Sequence, residues 1–545
     1  MSVALPAVTE WNRFYWTSGS DGQLRLQSCG ACGSLQHPPT PVCRRCGADH
    51  SAPQEVSGRG TVQSHTTNYQ PWSADVLKPY SVAVVALDED PAIRITTNIV
   101  GCDPEQVHVG MRVRVAFEQI EDVWLPKFEP LDEPDTALPD EHADLERIRS
   151  VRPMANIDRF EDRVAVTGIG MSQMGRKLML DPVALSVEAI RAAVADAGLT
   201  LDDIDGISTY PADAPGGYSE GGFTAVEAAV GIRPAWHNGA PETPGATGSL
   251  ITAMLAVASG LCRHVVCYRT VWQSTYGAMA TAFGNGAPSR VHGAFEHLAP
   301  FGVQAVHTVA MAASQHFARY GTTRETLGWI ALNARANAAL NPTAVYRKPM
   351  SMDDYLRARP ISSPFGMFDC DALVDGSTAV VISAADAARD LPNRPVRVEA
   401  TGMAVNERME WDQGVLSHEP HVLGPAAHLW SRTTLRPSDV DVAELYDGFT
   451  FNCLSWIEAL GFCEIGEAKD FLDGGKRIAL DGDLPINTNG GQLSHGRTHG
   501  MGLVHEAITQ LRGAAGARQV QGAATVVVSS GGLTPGGVIL FRVDD

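Results

Sequence analysis

The hydrophobic positions of this chain alternate with polar ones over residues 58–130, in short runs separated by turn residues. The runs are GRGTVQSHTTNY, YSVAVVALD, AIRITTNIVG and MRVRVAFEQ, each rich in β-branched residues and bounded by Gly, Pro or Asp. This pattern is typical of short strands. Roughly five such strands in about 70 residues predict a small barrel, for which an OB-fold β-barrel is the best match.

A second pattern begins at Arg163, where apolar strands alternate with helical segments. The run VAVTGIG is an apolar strand that ends in glycine. Residues 182–198 (PVALSVEAIRAAVADAG) space their apolar positions as a helix does and end in Gly. The alternation predicts an α/β domain whose sheets are covered by helices.

This α/β region repeats itself faintly, which divides it into halves at 161–390 and 391–545. RVAVTGIGMS from Arg163 returns as RVEATGMAVN from Arg397, LTLDDIDGISTY from Leu199 as LRPSDVDVAELY from Leu435, and AVVISA from Ala379 as TVVVSSGG from Thr525. Two similar packed halves are therefore predicted, with the functional site where loops from both converge.

Four cysteines form two CxxC pairs, Cys29-Gly-Ala-Cys32 and Cys43-Arg-Arg-Cys46, separated by ten residues. Two such pairs on tight turns place four thiolates tetrahedrally around one Zn²⁺ ion. Because all four corners are protein ligands, no position is left for water or substrate, so the zinc is predicted to be structural. Residues 1–57 are thus predicted to hold an N-terminal helix and a rubredoxin-like zinc ribbon.

Residues 131–160 are rich in proline and charge and lack a sustained strand pattern. They are predicted to form a linker between the barrel and the α/β region, with one helical turn around 141–148.

Composition narrows the function classes. The chain has 42 Lys and Arg against 62 Asp and Glu, a net charge of −20, which disfavours nonspecific nucleic-acid binding. No apolar stretch reaches the roughly 20 residues that span a bilayer, and the N-terminus lacks the features of a secretory signal. Six of the ten cysteines are scattered, which favours a reducing cytoplasm.

Several stretches of residues 163–545 resemble the thiolase superfamily, in its sterol-carrier-protein-X and lipid-transfer-protein branch. They are NARANAALNPTAVYRKP from Asn333, FDCDALVDGSTAVV from Phe368, ELYDGFT from Glu444 and NTNGGQLSHGRTHGMG from Asn487. Residues 11–130 resemble the zinc-ribbon/OB proteins that pair with such thiolases, usually as separate subunits. The resemblance implies a thiolase-fold α/β domain, an acyl-CoA substrate and a homodimer formed through the thiolase domain.

Three positions depart from that branch. Catalytic members carry the cysteine that becomes acylated immediately before Ala-Thr-Gly-Ser, where this chain has Gly245. Tyr446 replaces a histidine, and Arg497 takes the place of another, with His499 two residues further on. Without the cysteine, Claisen condensation and thiolysis lose their covalent step.

This combination resembles the thiolase-fold aldolases of steroid side-chain breakdown, which lack the cysteine and use a tyrosine at the position of Tyr446. That resemblance implies retro-aldol cleavage of a β-hydroxyacyl-CoA, with a steroid or aromatic acyl group, into a ketone or aldehyde and a shorter acyl-CoA. The reaction needs an oxyanion site and two proton-transfer groups, but no nucleophile.

The candidate catalytic residues follow from these requirements. Tyr446, a phenol with a reference pKa of about 10, is the candidate acid, and His499, with a reference pKa of about 6.5, is the candidate acceptor of the hydroxyl proton. Arg497 is a candidate to stabilise an oxyanion or a CoA phosphate, and His495 is a further candidate. Each has a structural alternative: local packing for Tyr446, loop bracing for His499, orientation away from the pocket for His495 and a surface ion pair for Arg497.

Three glycines are assigned to close backbone approach of the CoA thioester: Gly490, Gly491 and Gly245. A tight turn explains the pair at 490 and 491 equally well.

Two other functions remain open from the sequence. One is a thiolase or acyltransferase that uses a relocated cysteine, although Cys370, Cys453 and Cys463 fit small buried hydrophobes better. The other is a non-catalytic scaffold that binds acyl-CoA. The N-terminal module is predicted to shape the acyl entrance and to recruit a hydratase partner.

Overall fold

The computed structural model describes residues 4–72, 79–152, 158–212, 214, 216–240, 243–283, 290–408, 410–419, 421–531 and 535–544. The N-terminal part contains strand β1 (Leu5–Pro6), helix α1 (Arg13–Trp16), and strands β2 (Leu24–Cys29), β3 (Leu35–Gln36) and β4 (Ser51–Val56). Strands β3, β2 and β4 form a small antiparallel sheet in that order. The N-terminal helix is a single turn, which buries Tyr15 and Trp16.

Five strands follow, as the alternating pattern predicts: β5 (Arg59–Asn68), β6 (Tyr80–Leu87), β7 (Arg94–Thr97), β8 (Arg112–Ile120) and β9 (Val123–Pro130). Strand β5 lies between β6 and β8, with β7 beyond β6 and β9 beyond β8. A bridge between Ile99 and Phe128 brings the two ends together. The sheet is therefore a nearly closed barrel, and Val62, Val113 and Phe128 are buried in its core.

The linker carries helix α2 (His142–Arg149), two turns long where the sequence predicts one. It is held in place because Leu145 and Ile148 are buried against the same core as helix α11, defined below.

The first half of the α/β region contains most of the helices. Its elements are β10 (Val164–Met171), α3 (Pro182–Asp196), β11 (Gly206–Thr209), α4 (Phe223–Val230), β12 (Trp236–Asn238), α5 (Gly245–Ala258), β13 (His264–Trp272), α6 (Gln273–Phe283), β14 (Arg290–Val291), α7 (Ala305–Tyr320), α8 (Arg324–Ala339), α9 (Met352–Leu356), β15 (Pro360–Ser362), β16 (Phe365–Gly366), β17 (Asp375–Ala384) and α10 (Ala385–Ala388). Helix α3 begins as the sequence predicts: Pro182 occupies its first turn, and Asp181 Oδ1 accepts from the amides of Val183 and Ala184.

The second half contains β18 (Val396–Gly402), α11 (Leu423–Trp430), β19 (Val442–Glu444), α12 (Thr450–Ala459), α13 (Ala468–Phe471), α14 (Met501–Leu511), β20 (Thr525–Ser530) and β21 (Gly537–Arg542). A π-helical turn at Gly491–His495 precedes α14. Among the described helices, none combines the length and the apolar character required to cross a bilayer.

One nine-stranded sheet joins the halves, in the order β12-β11-β13-β17-β10-β18-β21-β20-β19. The sequence predicts two sheets, but two residue pairs between β10 and β18, Ala165 with Arg397 and Val166 with Val396, connect them edge to edge. The repeat predicts the equivalence of β10 with β18 and of β11 with β19. Its third match is wrong, because β20 occupies the sheet position of β13, and the counterpart of β17 is β21.

The barrel packs directly against the first half. Strand β15 extends the barrel sheet through the pairing of Ser362 with Asn68, and helix α7 lies on β5. Met311 of α7 is fully buried in a cluster with Val82 and Val84 of β6. The barrel therefore fixes the position of α7, which also reaches the cavity described next.

Candidate active site

The four ribbon cysteines converge on one point. Cys29 Sγ lies 3.6 Å from Cys46 Sγ, and Cys32 Sγ lies 3.7 Å from Cys43 Sγ; all four sulfur atoms lie within 4.8 Å of one another. Four thiolates bound to zinc at about 2.3 Å lie about 3.8 Å apart, so this group fits the ion predicted from the sequence. A site with four protein ligands stabilises the ribbon and takes no substrate.

A cavity of about 140 Å³ lies between the two halves of the α/β region. Its apolar wall includes Ala305 and Val309 of α7 and Phe449. Its polar lining consists of Tyr210, Tyr218, Arg269, Asp371, Tyr446, Asn452, Arg497 and His499. Loops of both halves meet here, at the location that the repeat predicts for the site.

Tyr446 enters the cavity from the loop after β19. Its backbone amide donates to Ser529 Oγ at 2.9 Å, and only 6% of the residue is exposed. Gly448 allows the ring to lie close to the backbone, since a Cβ there would meet the ring at 2.8 Å. Burial raises the pKa of the phenol, as does the charge of Asp371, while Arg497 opposes them. The phenol is therefore protonated at neutral pH and available as a donor.

Arg497 is held by partners on two sides. Its Nη1 lies 3.1 Å from Asp371 Oδ2, and its Nε and Nη2 donate to Gln273 Oε1 at 3.1 and 2.8 Å. Its guanidinium also lies over the ring of Tyr218, 5.5 Å from the centroid. The carboxylate partner is buried in the cavity wall, which differs from the surface ion pair considered from the sequence.

His499 accepts from a second buried guanidinium. Arg269 Nη2 and Nε lie 2.5 and 3.1 Å from His499 Nδ1. Burial and the charges of Arg269 and Arg497 hold the pKa of His499 well below its usual range. Because a guanidinium only donates, Nδ1 accepts and the neutral ring carries its proton on Nε2. This geometry favours a hydrogen-bond donor over the proton acceptor that the sequence suggests.

His495, Gly490 and Gly491 lie behind the described cavity lining. His495 is buried, its Nε2 is 3.2 Å from Thr343 Oγ1, and burial lowers its pKa to about 4. Gly490 and Gly491 have φ of 104° and 59°. A Cβ would lie 2.6 Å from Ala338 at the first and 1.9 Å from Asp447 Oδ2 at the second. The close packing that requires these glycines is with protein.

Gly245 begins helix α5 with φ of 54°. A Cβ at this position would lie 2.6 Å from Ser530 Oγ. Ser530 Oγ is also 3.1 Å from the amide of Thr247 and 2.5 Å from its hydroxyl. The space that a side chain at 245 would need is thus filled by Ser530, and the helix start is shaped for glycine.

Sequence reasoning missed five polar groups of the cavity: Tyr210, Tyr218, Arg269, Asp371 and Asn452. A signal existed for Arg269, which is the one charged residue inside the apolar run VVCYRTVW and is fully buried. Buried charges require partners, so its presence in a central strand marks a built polar site. Asp371 and Tyr218 lie in segments without regular spacing, where sequence offers no comparable signal.

Two cations lie over the ring of Tyr346, and two more follow directly in the chain. Arg176 and Arg335 lie over the ring of Tyr346, 5.5 and 5.4 Å from its centroid, and Lys177 and Arg347 adjoin Arg176 and Tyr346 in the chain. The Lys177 amide donates to Ser274 Oγ at 3.0 Å, next to Gln273. Within the described parts of the chain, none of the four cations lies within 4 Å of a carboxylate, in contrast to most arginines of this acidic protein.

Three family models match the chain. Residues 16–51 match the ChsH2 rubredoxin-like zinc ribbon domain, residues 53–118 match the ChsH2 C-terminal OB-fold domain, and residues 424–538 match the thiolase C-terminal domain-like family.

Two relatives match the α/β region over nearly their whole length. The steroid side-chain-cleaving aldolase of Thermomonospora curvata is 34% identical over 389 residues, 69% of this chain and 97% of its own. The 17-hydroxy-3-oxo-4-pregnene-20-carboxyl-CoA lyase of Mycobacterium tuberculosis is 34% identical over 391 residues, 69% and 99% of the two chains.

Two solved structures match nearly the same share of the chain. The Ltp2-ChsH2(DUF35) aldolase superposes with a TM-score of 0.63 at 31% identity, over 70% of this chain and 98% of that one. Human mitochondrial 3-ketoacyl-CoA thiolase superposes with a TM-score of 0.52 at 14% identity, over 71% and 100% of the two chains, and this likeness concerns the fold alone.

Proposed function

This chain belongs to the family of thiolase-fold aldolases that contains these two relatives, lyases that act on CoA thioesters, and we propose that its substrate is a steroid β-hydroxyacyl-CoA. The enzyme breaks the bond between the α and β carbons and releases a ketone or aldehyde and a shorter acyl-CoA. The name of the mycobacterial relative places a hydroxyl at position 17 and the CoA carboxyl on position 20, adjacent steroid carbons, so the hydroxyl is β to the thioester.

The cavity carries this proposal, because it has proton-transfer groups and donors but no nucleophilic sulfur. Among the described lining residues there is no cysteine. Burial raises the pKa values of the Cys370 and Cys453 thiols well above their usual range, so neither supplies a thiolate for a relocated thiolase reaction. A reaction that leaves the acyl–sulfur bond intact is the chemistry that these residues support.

Two donors converge on the position of the developing enolate. The Nε2–H of His499 stabilises the thioester oxygen as negative charge moves onto it, and Arg269 keeps this tautomer in place. The protonated phenol of Tyr446 then delivers a proton to the α carbon. Arg497 adds a fixed positive charge beside the phenol and, with Asp371, orients the loop that carries His499.

Substrate binding extends beyond the small cavity. A cavity of about 140 Å³ holds the reacting carbons and part of the acyl group, with Ala305, Val309 and Phe449 as apolar contacts. The half-exposed ring of Tyr218, 38% accessible, marks the mouth. We assign the CoA phosphates to the cationic group of Arg176, Lys177, Arg335 and Arg347, because clustered cations without carboxylate partners bind anions.

The fused N-terminal module holds helix α7, which forms part of the apolar wall of the cavity. Ser64 Oγ donates to the carbonyl of Met311, and Gln315 Nε2 donates to the carbonyl of Gln63 at 3.1 Å. Both contacts hold the face of α7 opposite Ala305 and Val309. This supports the role in shaping the acyl entrance that the sequence suggests for the module.

Three further features of the protein are proposed. A homodimer through the thiolase region fits the outer position of β12, which pairs with β11 and with no other described strand. Cytoplasmic location fits ten reduced cysteines. A hydratase bound to the N-terminal module would supply the β-hydroxyl group. Light scattering of the purified protein, with and without such a hydratase, tests both assemblies.

The decisive test of the function is a product assay. Purified enzyme is incubated, without free CoA, with 17-hydroxy-3-oxo-4-pregnene-20-carboxyl-CoA and with smaller β-hydroxyacyl-CoA esters that carry aromatic or linear groups. We expect a carbonyl product and a shorter acyl-CoA in equal amounts from the steroid ester. Cleavage only after addition of free CoA would contradict the proposal, as would absence of both products from every ester.

A further inference from the structure

The geometry of the cavity points to Asp371 as the catalytic base, the group that takes the proton from the β-hydroxyl of the substrate. This inference rests on the proposed retro-aldol function and supplies the proton acceptor that it requires. Asp371 lies in the short segment between Cys370 and β17, on the cavity wall shared with Tyr446 and Arg497.

The backbone that carries the carboxylate is hydrogen-bonded to two neighbouring segments. The Asp371 amide donates to the carbonyl of Gly448 at 3.1 Å, in the Tyr446 loop, and the Ala372 amide donates to the carbonyl of Gln492 at 2.9 Å. The Arg497 amide in turn donates to the carbonyl of Ala372 at 3.0 Å. The acceptor, the phenol and the guanidinium are therefore fixed relative to one another by backbone hydrogen bonds, as a preorganised proton-transfer site requires.

The carboxylate retains free capacity to accept. Its Oδ2 pairs with Arg497 Nη1 at 3.1 Å, and within the described structure its Oδ1 makes no hydrogen bond. An ionised carboxylate has about four lone-pair sites. Since the Asp371 side chain is only 6% exposed, the remaining sites face the cavity more than solvent, where a substrate hydroxyl would find them.

The other described lining groups are poor acceptors. His499 uses Nδ1 to accept from Arg269, so its remaining ring nitrogen carries a proton. The side chains of Tyr210, Tyr218 and Tyr446 are phenols, which make poor proton acceptors. Arg269 and Arg497 are cations that cannot accept, and the amide of Asn452 is a very weak base. Asp371 is the one carboxylate that lines the cavity among the described residues.

The pKa of Asp371 is suitable for a general base. Burial raises its pKa to about 6, against the opposing effect of Arg497. At neutral pH the group is ionised, yet it is a stronger base than an ordinary aspartate, whose reference pKa is about 3.9. A general base is most effective when its pKa lies near the working pH.

The proton cycle then closes without a co-reactant. Asp371 takes the β-hydroxyl proton, the oxygen electrons form the new carbonyl, and the α–β bond breaks with its electron pair passing into the thioester enolate. Tyr446 gives its phenolic proton to the α carbon. The carboxylic acid of Asp371 then returns a proton to the phenolate, and both groups regain their starting states.

The test compares Asp371→Asn with wild type on the ester that wild type cleaves, with Asp353→Asn, an exposed aspartate on α9, as the control. We expect Asp371→Asn to lower kcat on the order of 10²–10⁴-fold while the Kd of the ester changes by only a few-fold. In wild type, kcat/KM falls as the pH drops through about 6; this limb should be absent from the residual activity of the variant. Formate should partly restore turnover in Asp371→Ala and leave wild type unchanged.

Other outcomes separate the possibilities. One contradictory outcome is a variant that keeps the fall in kcat/KM at low pH, gains nothing from formate and differs from wild type mainly by a higher KM. That result would show that Asp371 only positions Arg497, and it overturns the inference. If the variants do not fold, the wild-type profile decides, and a flat kcat/KM between pH 5 and 8 contradicts an Asp371 base. Failure of wild type to form either product would instead refute the proposed function.

Discussion

Among single residues, Tyr446 shows most clearly how burial determines chemistry. A phenol in water titrates near pH 10, and burial beside Asp371 raises the pKa of this one further. The group therefore stays protonated across the physiological range, and the proposed mechanism uses it as an acid. The histidine that the sequence resemblance assigns to cysteine-dependent thiolases at this position has a reference pKa of about 6.5, so a tyrosine here leaves the cavity without that base.

Replacing Tyr446 by Phe removes the hydroxyl and keeps the ring. We expect kcat to fall on the order of 10²–10³-fold, as for loss of one well-placed donor, with little change in melting temperature. Tyr69→Phe, at a half-buried tyrosine next to β5 whose hydroxyl donates to Glu105 Oε1 at 3.1 Å, is the matched control and should retain turnover. Steady-state kinetics with the cleaved ester measure kcat for both variants. If Tyr446→Phe had the same kcat as wild type, the phenol would have no part in the mechanism.

Gly245 carries the second residue-scale prediction. Gly245→Ala must accommodate a side chain at φ of 54° and a contact of 2.6 Å with Ser530, so we expect a loss of stability of about 1–3 kcal/mol. Gly260→Ala, at φ of 81° with open space around it, isolates the backbone cost of about 1 kcal/mol. Thermal melting compares the two variants. Equal shifts would show that Ser530 does not occupy the space of a side chain at 245.

The sequence is informative about this cavity only where residues depart from a recognised pattern. Gly245 and Tyr446 stand inside recognisable segments, so the sequence alone identifies both as departures from the thiolase pattern. The role of His499 was less predictable, because its tautomer depends on Arg269, 230 positions away in the chain. The sequence does not identify Asp371 either, because burial and the contact with Arg497, which is distant in the chain, set its basicity.

At the scale of elements, helix α7 connects the two main parts of the molecule. One face packs on the barrel through Met311, and the other supplies Ala305 and Val309 to the cavity. Side chains in protein interiors are close-packed, so displacement on one face is transmitted to the other. We therefore expect the barrel to influence the reaction through α7, since no barrel strand is among the described residues that line the cavity.

Met311→Ala tests this coupling. It should destabilise the protein by about 2–5 kcal/mol, and the shifted α7 should lower kcat/KM for the steroid ester by about tenfold or more, because small misplacements are costly for alignment. Leu185→Ala in α3, equally buried and remote from α7, should reduce stability without this kinetic change. Parallel melting and kinetic measurements distinguish them. A similar kinetic loss in both variants would make the effect one of general stability.

Local patterns at this scale predicted elements better than their pairing. Helix α3 and strands β5 to β9 follow from spacing and turn residues, because each buries one face or stripe and ends at a local signal. The assignment of TVVVSSGG as the equivalent of β17 failed because β20 and β17 both contain a buried run of apolar residues, and only sheet order separates them. Connection of the halves through β10 and β18 depends on two residue pairs, which no periodicity reveals.

For the whole molecule, the zinc ribbon is a structural anchor rather than part of the reaction. Arg44 of the ribbon pairs with Glu410 at 3.3 Å, and Trp16 stacks on His297 with ring centroids 5.2 Å apart. These contacts attach the N-terminal module to the α/β region at a distance from the reacting groups. Metal binding therefore supports the assembly through folding of the ribbon.

Replacing zinc by cadmium, which thiolates also bind tetrahedrally, should leave kcat within about twofold because the site is closed to substrate. Removal of the metal with a chelator should lower the melting temperature, since structural zinc contributes folding free energy. Metal analysis alongside melting and turnover checks both. A kcat that changes with the identity of the metal would place the ion in the chemistry.

The central claim is that the acyl group stays on CoA while the carbon–carbon bond breaks. The most direct measurement is a single turnover of the steroid ester in D₂O without free CoA, with mass analysis of both products and of the intact polypeptide. The account predicts a carbonyl product, a shorter acyl-CoA carrying one deuterium on its α carbon, and an unmodified protein mass. A polypeptide that gains the mass of an acyl group during turnover would contradict it.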